Sequence, residues 1–301
     1  MQLTEFLAMV LLDGKQLARQ IKEELAQETA AIIEAGGKVP HLAAVLVGDN
    51  PASQVYVRNK VRSCERVGFH STLIRKPADI SEEELLHIIE ELNHDPGIDG
   101  FIVQLPLPDH LNEDKITLAI DPSKDVDGFH PVNMGRMSLG LPCYLPATPC
   151  GIIQILDRYE IPTAGKQVVV VGRSNIVGTP ISILLSRKAK VGNATVTLCH
   201  SRTANLVDHT RRADIIIASV GRPNTITADM VKRGAVVIDV GINRIDDPEA
   251  AKGYRLVGDV DFAGVSTIAG HITPVPGGVG QMTVVSLLMN TLSASKKEIY
   301  G

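Results

Sequence analysis

An uninterrupted run of four valines, residues 168–171, ends at Gly172 and limits the folds that the chain can adopt. Four consecutive β-branched residues indicate a strand buried on both faces, which is typical of a parallel sheet covered by helices. After a short polar turn, residues 178–185 have the apolar spacing of a helix. A strand, a glycine turn and a helix start can bind phosphate, because backbone N–H groups and the positive helix end converge there.

The turn itself reads GRSNIVG, which departs from the dinucleotide fingerprint G-x-G-x-x-G. Taken alone, it fits an ordinary tight turn of an α/β protein as well as a nucleotide site. A second strand, residues 194–199, runs into HSRT at 200–203, with no carboxylate where an NAD enzyme usually holds the ribose 2′-hydroxyl. With Arg173, this segment makes a cationic pocket suited to the 2′-phosphate of NADP. Solvated arginines at a strand end are the alternative.

Composition narrows the class of protein. A chain of 301 residues with 44% hydrophobic content can form two domains with separate cores. Its 30 basic and 34 acidic residues give a formal net charge of −4, which argues against general nucleic-acid binding. The four cysteines form no C-x-x-C pair, so we interpret them as reduced thiols of a cytoplasmic protein without structural zinc.

Membrane and targeting segments are not expected. No apolar run approaches the roughly 20 residues that span a bilayer. The first 12 residues contain Glu5 and lack a basic leader, so they make a poor signal peptide. The regular pattern begins near Val10, and the residues before it are interpreted as an extension.

Strands alternate with helices along the chain, which predicts an α/β fold with two domains. In the first domain the pattern predicts helices over residues 15–35 and 52–66 and strands over 41–47 and 100–103. In the second it predicts four strands separated by helical stretches, forming a doubly wound sheet, over 168–171, 194–199, 214–219 and 235–240. Residues 121–149 are rich in proline and glycine without periodicity, so we expect the domain junction there. The predicted domains are 1–147, with a closing helix 281–301, and 148–280, with a cleft between them.

A candidate for proton transfer lies on the helix that follows Pro51. Ser53, Tyr56 and Lys60 share one stripe beside a core stripe, which places Tyr56 and Lys60 at the edge of burial. A lysine amine that loses part of its hydration there can transfer protons, whereas a snorkelling lysine keeps its amine in water. Gln104 ends an apolar strand, where open α/β sheets place ligands, although a polar residue that simply ends a strand fits as well.

Asp125 and Asp127 are alternate carboxylates in one loop. They could bind a metal, but their neighbours complete no known metal spacing, so no metal site is expected. A single carboxylate that accepts N–H groups from a heterocycle is the interpretation we favour. Solvated aspartates of a turn are the third possibility.

Six segments, in order along nearly the whole chain, resemble the bifunctional methylenetetrahydrofolate dehydrogenase/methenyltetrahydrofolate cyclohydrolase family. They read YVRNK at 56–60, GFIVQLPLP at 100–108, KDVDGF at 124–129, VGRSNIVG at 171–178, CHSRT at 199–203 and TPVPGGVG at 273–280. Each string is weak alone, but the ordered set is specific. The resemblance implies a folate-binding catalytic domain and a Rossmann-like NADP-binding domain.

The resemblance also implies roles for particular residues. Lys60 would be the central acid/base group of the cyclohydrolase step, with Gln104 tuning it, Tyr56 stacking on the folate and Asp127 holding its pterin. The implied substrate-binding residues are Ser53, Tyr56, Gln104, Asp127, Pro276, Gly277 and Gly278. The implied NADP-binding residues are Gly172, Arg173, Ser174, Ile176, Val177, Gly178, His200, Ser201, Arg202, Thr203, Val220, Gly221, Gly241 and Ile242.

The activity implied by the resemblance is oxidation of 5,10-methylenetetrahydrofolate to the methenyl compound with NADP, followed by hydrolysis to 10-formyltetrahydrofolate. Such an enzyme would be a homodimer that serves one-carbon metabolism and purine biosynthesis. Gln281 stands where the family commonly has proline, and the chain is too short for a formate-activating domain, so no ligase activity is expected. The alternatives are another two-domain NADP-dependent dehydrogenase, of shikimate or amino-acid type, and a non-catalytic nucleotide-binding module.

Overall fold

The computed structural model describes residues 9–250 and 253–300, so most of the interpreted N-terminal extension lies outside the described residues. The chain divides into two compact units. The six-stranded unit comprises residues 9–18 and Thr148–Thr283, and the three-stranded unit comprises Arg19–Ala147 and residues 284–300.

The strands and helices follow one another along both units. The strands are β1 (Val10–Leu11), β2 (His41–Val47), β3 (His70–Lys76), β4 (Gly100–Val103), β5 (Gln167–Val171), β6 (Thr195–Cys199), β7 (Ile215–Ala218), β8 (Val236–Asp239), β9 (Asn243–Asp246), β10 (Tyr254–Val257) and β11 (His271–Ile272). The helices are α1 (Gly14–Glu34), α2 (Pro51–Arg66), α3 (Glu82–His94), α4 (Glu113–Ala119), α5 (Pro131–Leu139), α6 (Ala147–Arg158), α7 (Gly178–Ser186), α8 (Leu206–Thr210), α9 (Phe262–Val265) and α10 (Val279–Ser295). Among the described residues, no helix combines the length and apolar character that crossing a membrane requires.

The three-stranded unit is built on a parallel sheet with the order β3-β2-β4. Its central strand β2 is buried along nearly its whole length, as expected for a strand with neighbours on both sides. The chain leaves β2 through α2 to reach β3, then crosses back through α3 to form β4 on the other side. Strand order therefore reverses between β2 and β4, and ligands of open α/β sheets bind at the carboxyl ends of such strands.

The six-stranded unit is a parallel sheet with the order β1-β11-β8-β7-β5-β6. Strands β5, β6, β7 and β8 confirm the strands predicted from the apolar runs, and β7 and β8 are buried at every position. Helices α7 and α8 separate the first three of these strands, as predicted. Between β7 and β8, however, the structure has only a short 3-10 turn at Ala228–Met230 instead of the predicted helical stretch.

The boundary of the units differs from the predicted one at the start of the chain. The prediction placed residues 1–147 in one domain, whereas the structure groups residues 9–18 with the six-stranded unit. The reason is long-range pairing, because β1 adds to the edge of the sheet beside β11, which is far away in sequence. The carboxyl-terminal portion also joins later, at residue 284 rather than 281.

Candidate active site

The three-stranded unit brings Lys60 and Gln104 together at the carboxyl edge of its sheet. The backbone N–H of Gln104, which follows β4, donates to the carbonyl of Val45 in β2 at 2.9 Å. Its side-chain amide donates to the carbonyl of Leu105 at 2.6 Å, which fixes the orientation of the amide. The Lys60 Nζ donates to Gln104 Oε1 at 3.1 Å. The lysine is only 9% exposed, so the snorkelling alternative does not apply.

Helix α2 positions Lys60 by its start and by its buried face. Pro51 opens the helix, and the Asn50 side chain accepts the Ser53 N–H at 3.2 Å, an arrangement typical of a helix start. Ser53 and Lys60 lie on the buried face, whereas Tyr56 is 44% exposed. The sequence placed Tyr56 and Lys60 together at the edge of burial, and the structure separates them. The Tyr56 ring, one turn before the lysine, remains accessible to a planar ligand.

The two aspartates of the 125–127 loop have different environments. Asp125 is buried, and its carboxylate accepts N–H groups from His130 at 2.8 Å and from the Asn133 side chain at 2.9 Å. Burial raises the pKa of Asp125 to about 6, although these hydrogen bonds oppose the rise. Asp127 is half-buried, and within the described chain no donor is bonded to its carboxylate. Asp125 is therefore structural, and Asp127 is available to a ligand.

The turn after β5 in the six-stranded unit requires glycine at two positions. Gly172 has a φ of +119°, and a Cβ there would lie 2.2 Å from the carbonyl oxygen of Ser219. A Cβ on Gly178 would lie 1.9 Å from the carbonyl oxygen of Gly172. Ser174 shapes the turn by accepting the Val177 N–H at 3.2 Å, and its hydroxyl hydrogen remains able to donate. The Ile176 side chain between them is exposed.

The segment after β6 forms a second turn at the same edge. Its conformation is set internally, since the Thr203 hydroxyl accepts the His200 N–H at 2.8 Å and the His200 ring accepts the Arg202 N–H at 3.1 Å. Ser201 and Arg202 are exposed, as is Arg173 across the edge. Neither guanidinium group forms an ion pair with another residue that the structure describes, and residues 199–203 include no carboxylate. This surface can accept a phosphate group.

The turns after β7 and β8 contain four further residues implied to bind the cofactor. The N–H groups of Val220 and Gly221 already donate to the Asp259 carboxylate, at 2.6 and 3.0 Å, and the Gly241 N–H donates to Asp239 at 2.9 Å. Those N–H groups are therefore already hydrogen-bonded within the protein and are not available to a ligand. The Ile242 side chain is exposed. Sequence reasoning missed both aspartates, although a carboxylate that closes the apolar strand β8 was a signal for Asp239.

Pro276, Gly277 and Gly278 belong to the six-stranded unit, unlike the other residues implied to bind substrate. The carbonyl of Gly277 accepts the Lys15 N–H at 2.9 Å, and a Cβ on Gly278 would lie 2.5 Å from the Pro274 carbonyl oxygen. These contacts fix a tight turn just before α10. Their substrate-binding role stays a prediction. Among the residues described, no three His, Cys, Asp or Glu side chains are grouped so that they could hold a metal ion.

Comparison with known proteins decides the family. Models of the tetrahydrofolate dehydrogenase/cyclohydrolase family match residues 12–127, as its catalytic domain, and residues 146–299, as its NAD(P)-binding domain. The chain belongs to this family. The bifunctional protein FolD of Flavobacterium johnsoniae is 60% identical over 288 residues, which cover 96% of this chain and 98% of that protein. The resemblance drawn from the six sequence segments is therefore confirmed.

Solved structures of the tetrahydrofolate dehydrogenase/cyclohydrolase family are similar over nearly the whole chain. The bifunctional FolD enzyme of Campylobacter jejuni is 48% identical with a TM-score of 0.90, covering 97% of this chain and all of that one. FolD of Trypanosoma brucei, solved with NADP and an inhibitor, is 36% identical with a TM-score of 0.90, covering 97% of this chain and 99% of that one. A shikimate 5-dehydrogenase of Thermus thermophilus, at 12% identity and a TM-score of 0.50, shares the fold alone.

Proposed function

We propose that this chain catalyses the NADP-dependent oxidation of 5,10-methylenetetrahydrofolate to 5,10-methenyltetrahydrofolate and the hydrolysis of that product to 10-formyltetrahydrofolate. The observation that carries the proposal is the partly buried hydrogen bond between Lys60 and Gln104 at the reversal of strand order in the three-stranded unit. Family membership supplies the substrate class. The shikimate-type alternative is supported by distant likeness of fold only.

The six-stranded unit fits NADP by its own residues. Arg173, Ser201 and Arg202 would hold the 2′-phosphate, because their side chains are exposed beside residues 199–203, a segment that contains no carboxylate, and neither guanidinium group forms an ion pair with a described residue. Ser174 and the turn between Gly172 and Gly178 would hold the pyrophosphate near the start of α7. NADP, when bound, supplies the hydride acceptor for the first reaction.

The hydrolytic step needs proton management more than a strong nucleophile. The methenyl carbon carries positive charge, so water can add to it once a proton is removed; one C–N bond then breaks and leaves the formyl group on the other nitrogen. Lys60 would carry protons to and from these atoms, and Gln104 would hold its amine in place. Tyr56 would stack on the folate, Ser53 would contact it, and the free carboxylate of Asp127 would accept N–H groups of the pterin.

Replacing Lys60 with methionine tests the proposal. Lys60→Met keeps the length of the side chain and removes the amine, so we expect cyclohydrolase activity on supplied 5,10-methenyltetrahydrofolate to fall at least about a hundredfold. Binding of NADP, measured by calorimetry, should be unchanged because the lysine and the nucleotide turns belong to different units.

Lys76→Met is the matched control. Lys76 is a lysine of the same unit whose amine pairs with Glu84 at 3.0 Å, and its loss should leave both activities unchanged. Full cyclohydrolase activity in Lys60→Met would show that Lys60 takes no part in the hydrolysis.

We further propose that the enzyme is a cytoplasmic homodimer. The edge strand β6 of the six-stranded sheet supports association, since it has one hydrogen-bonded neighbour and exposes Leu198. None of the four cysteines, Cys64, Cys143, Cys150 and Cys199, is in a disulfide in the described chain, which is typical of a reducing compartment.

A further inference from the structure

Two buried carboxylates occupy the carboxyl edge of the six-stranded sheet without a cationic partner. Asp239, the last residue of β8, is 3% exposed, and Asp259 is fully buried. Neither forms an ion pair within the part of the chain that the structure describes, and both are satisfied by N–H donors instead. A buried carboxylate is costly unless hydrogen bonds compensate it, so these donors must be held close.

Asp259 binds two separate turns at once. Its Oδ2 accepts the N–H groups of Val220 and Gly221, at 2.6 and 3.0 Å. Its Oδ1 accepts the Arg222 N–H at 2.9 Å and the side-chain amide of Asn243, also at 2.9 Å. The turn after β7 and the first residue of β9, which follows the turn after β8, are therefore tied together through one carboxylate.

Asp239 holds Asp259 in place. Its Oδ1 accepts the N–H groups of Gly241 and Asp259, both at 2.9 Å, and its Oδ2 accepts the Val260 N–H at 3.0 Å. The packing around the two carboxylates leaves no space for a side chain at Gly241 or Gly258. A Cβ on Gly241 would lie 2.3 Å from Asp259 Oδ1, and one on Gly258 would lie 1.8 Å from Asp239 Oδ2.

The turns held by Asp259 adjoin the turn that would hold the cofactor. In the parallel sheet, β7 lies between β5 and β8, so the carboxyl ends of all three strands meet at one edge. The carbonyl oxygen of Ser219, which precedes the Asp259-bound segment, lies 2.2 Å from where a Cβ of Gly172 would be. A movement of residues 219–222 would therefore displace the Gly172 turn or leave a gap beside it.

We propose that Asp259 is a positioning residue for NADP, which fixes the turns after β7 and β8 before the cofactor binds. The inference rests on the proposed function and deepens it. Fixing the two turns in advance removes the cost of ordering them on binding, so the benefit is expressed as cofactor affinity. Because the N–H groups of Val220 and Gly221 are already hydrogen-bonded to Asp259, those residues can offer the cofactor only carbonyl oxygens and apolar surface.

The test compares Asp259→Asn with the milder Asn243→Ala. The asparagine keeps the shape of Asp259 but turns an NH₂ group toward N–H donors, whereas the alanine removes one donor only. We expect the Kd for NADP, measured by calorimetry with NADP alone, to rise about tenfold in the first variant and about threefold in the second. Cyclohydrolase activity on supplied 5,10-methenyltetrahydrofolate should stay within about twofold of the unmodified enzyme in both.

Asp214→Asn is the matched control. Asp214 precedes β7 at the opposite edge of the sheet, where its carboxylate accepts the Gln167 N–H at 2.9 Å, and its loss should not change NADP affinity. The inference would be overturned if Asp259→Asn folds and its Kd for NADP is unchanged. It would also be overturned if NADP affinity and cyclohydrolase activity fall together in both variants. Should Asp259→Asn not fold, the Kd of Asn243→Ala decides. An unmodified enzyme that turns over neither folate would instead refute the proposed function.

Discussion

In the proposed function, Arg173 is the residue on which the choice between NADP and NAD most depends. Its guanidinium is exposed beside the Gly172 turn and is free to pair with a phosphate. We predict that Arg173→Ala weakens NADP binding about tenfold and NAD binding much less, because only NADP loses a charge-assisted contact to its 2′-phosphate. The Kd of each cofactor, measured by calorimetry on the same preparation, checks this.

Arg233→Ala serves as the control for Arg173. Arg233 is an exposed arginine that precedes β8, at the opposite edge of the same sheet, so it tests for a general effect of positive charge. Its replacement should leave both Kd values unchanged. Equal weakening of NADP and NAD by Arg173→Ala would refute the assignment to the 2′-phosphate.

Single residues also show how far sequence reasoning reaches into the site. The types and positions of Lys60 and Gln104 could be singled out, because a polar side chain at a strand end and one on a helix stripe are visible in the sequence. Their contact could not be derived from periodicity, since the two residues are 44 positions apart and meet only through the sheet. Asp259 was missed for a related reason: three of its four hydrogen-bond donors are backbone N–H groups of a distant turn, which have no sequence signature.

At the scale of elements, the loop that presents Asp127 contains the buried carboxyl group of Asp125, which accepts hydrogen bonds from His130 and Asn133. The folded chain raises the pKa of Asp125 to about 6, from 3.8, because the carboxyl is buried. The folded state therefore binds the proton more tightly than the unfolded state does, and the contribution of Asp125 to stability is greatest below pH 4. We predict that, as pH rises from about 3 to about 7, the enzyme loses about 3 kcal/mol of unfolding free energy relative to Asp125→Asn.

Urea unfolding of both proteins at several pH values measures this difference directly. The prediction concerns only how the difference changes with pH, so a constant loss caused by the substitution itself does not affect it. Above about pH 7 the difference should be constant, because Asp125 is then ionised in both states. A difference that is independent of pH, or one that grows in favour of the aspartate enzyme as pH rises, would contradict the description of Asp125 as a buried carboxylate.

The elements that the sequence predicted are those whose signal is local. Strands β5 and β8 were found because they are apolar at consecutive positions, which full burial requires. Helix α5 lies within residues 121–149, where the sequence showed no periodicity and the domain junction was expected. Its sequence contains Pro131 at the start and only two buried side chains, and its cap is a histidine, so neither periodicity nor a usual cap marks it. The pairing of β9 with β10 was likewise not predicted, because the pattern of a single strand does not indicate which strand lies beside it.

For the molecule as a whole, the proposed homodimer predicts a mass. The chain has a mass of 32.3 kDa, so sedimentation equilibrium should give twice that value at micromolar concentration. Replacing Leu198 with lysine on the exposed edge strand β6 should shift the equilibrium toward the monomer, because a charge there opposes pairing of edges. A monomer at all concentrations would refute the dimer and leave the chemistry of each unit unaffected.

In the proposed function, one chain performs two successive reactions on a folate. The most direct test is a spectrophotometric assay of the purified chain with 5,10-methylenetetrahydrofolate, which follows reduction of NADP or NAD and the rise and decay of the methenyl compound separately. We predict folate-dependent reduction of NADP in preference to NAD, with little methenyl accumulation in the unmodified enzyme and marked accumulation in Lys60→Met. Binding of NADP without any folate-dependent reduction of it would contradict the proposed function.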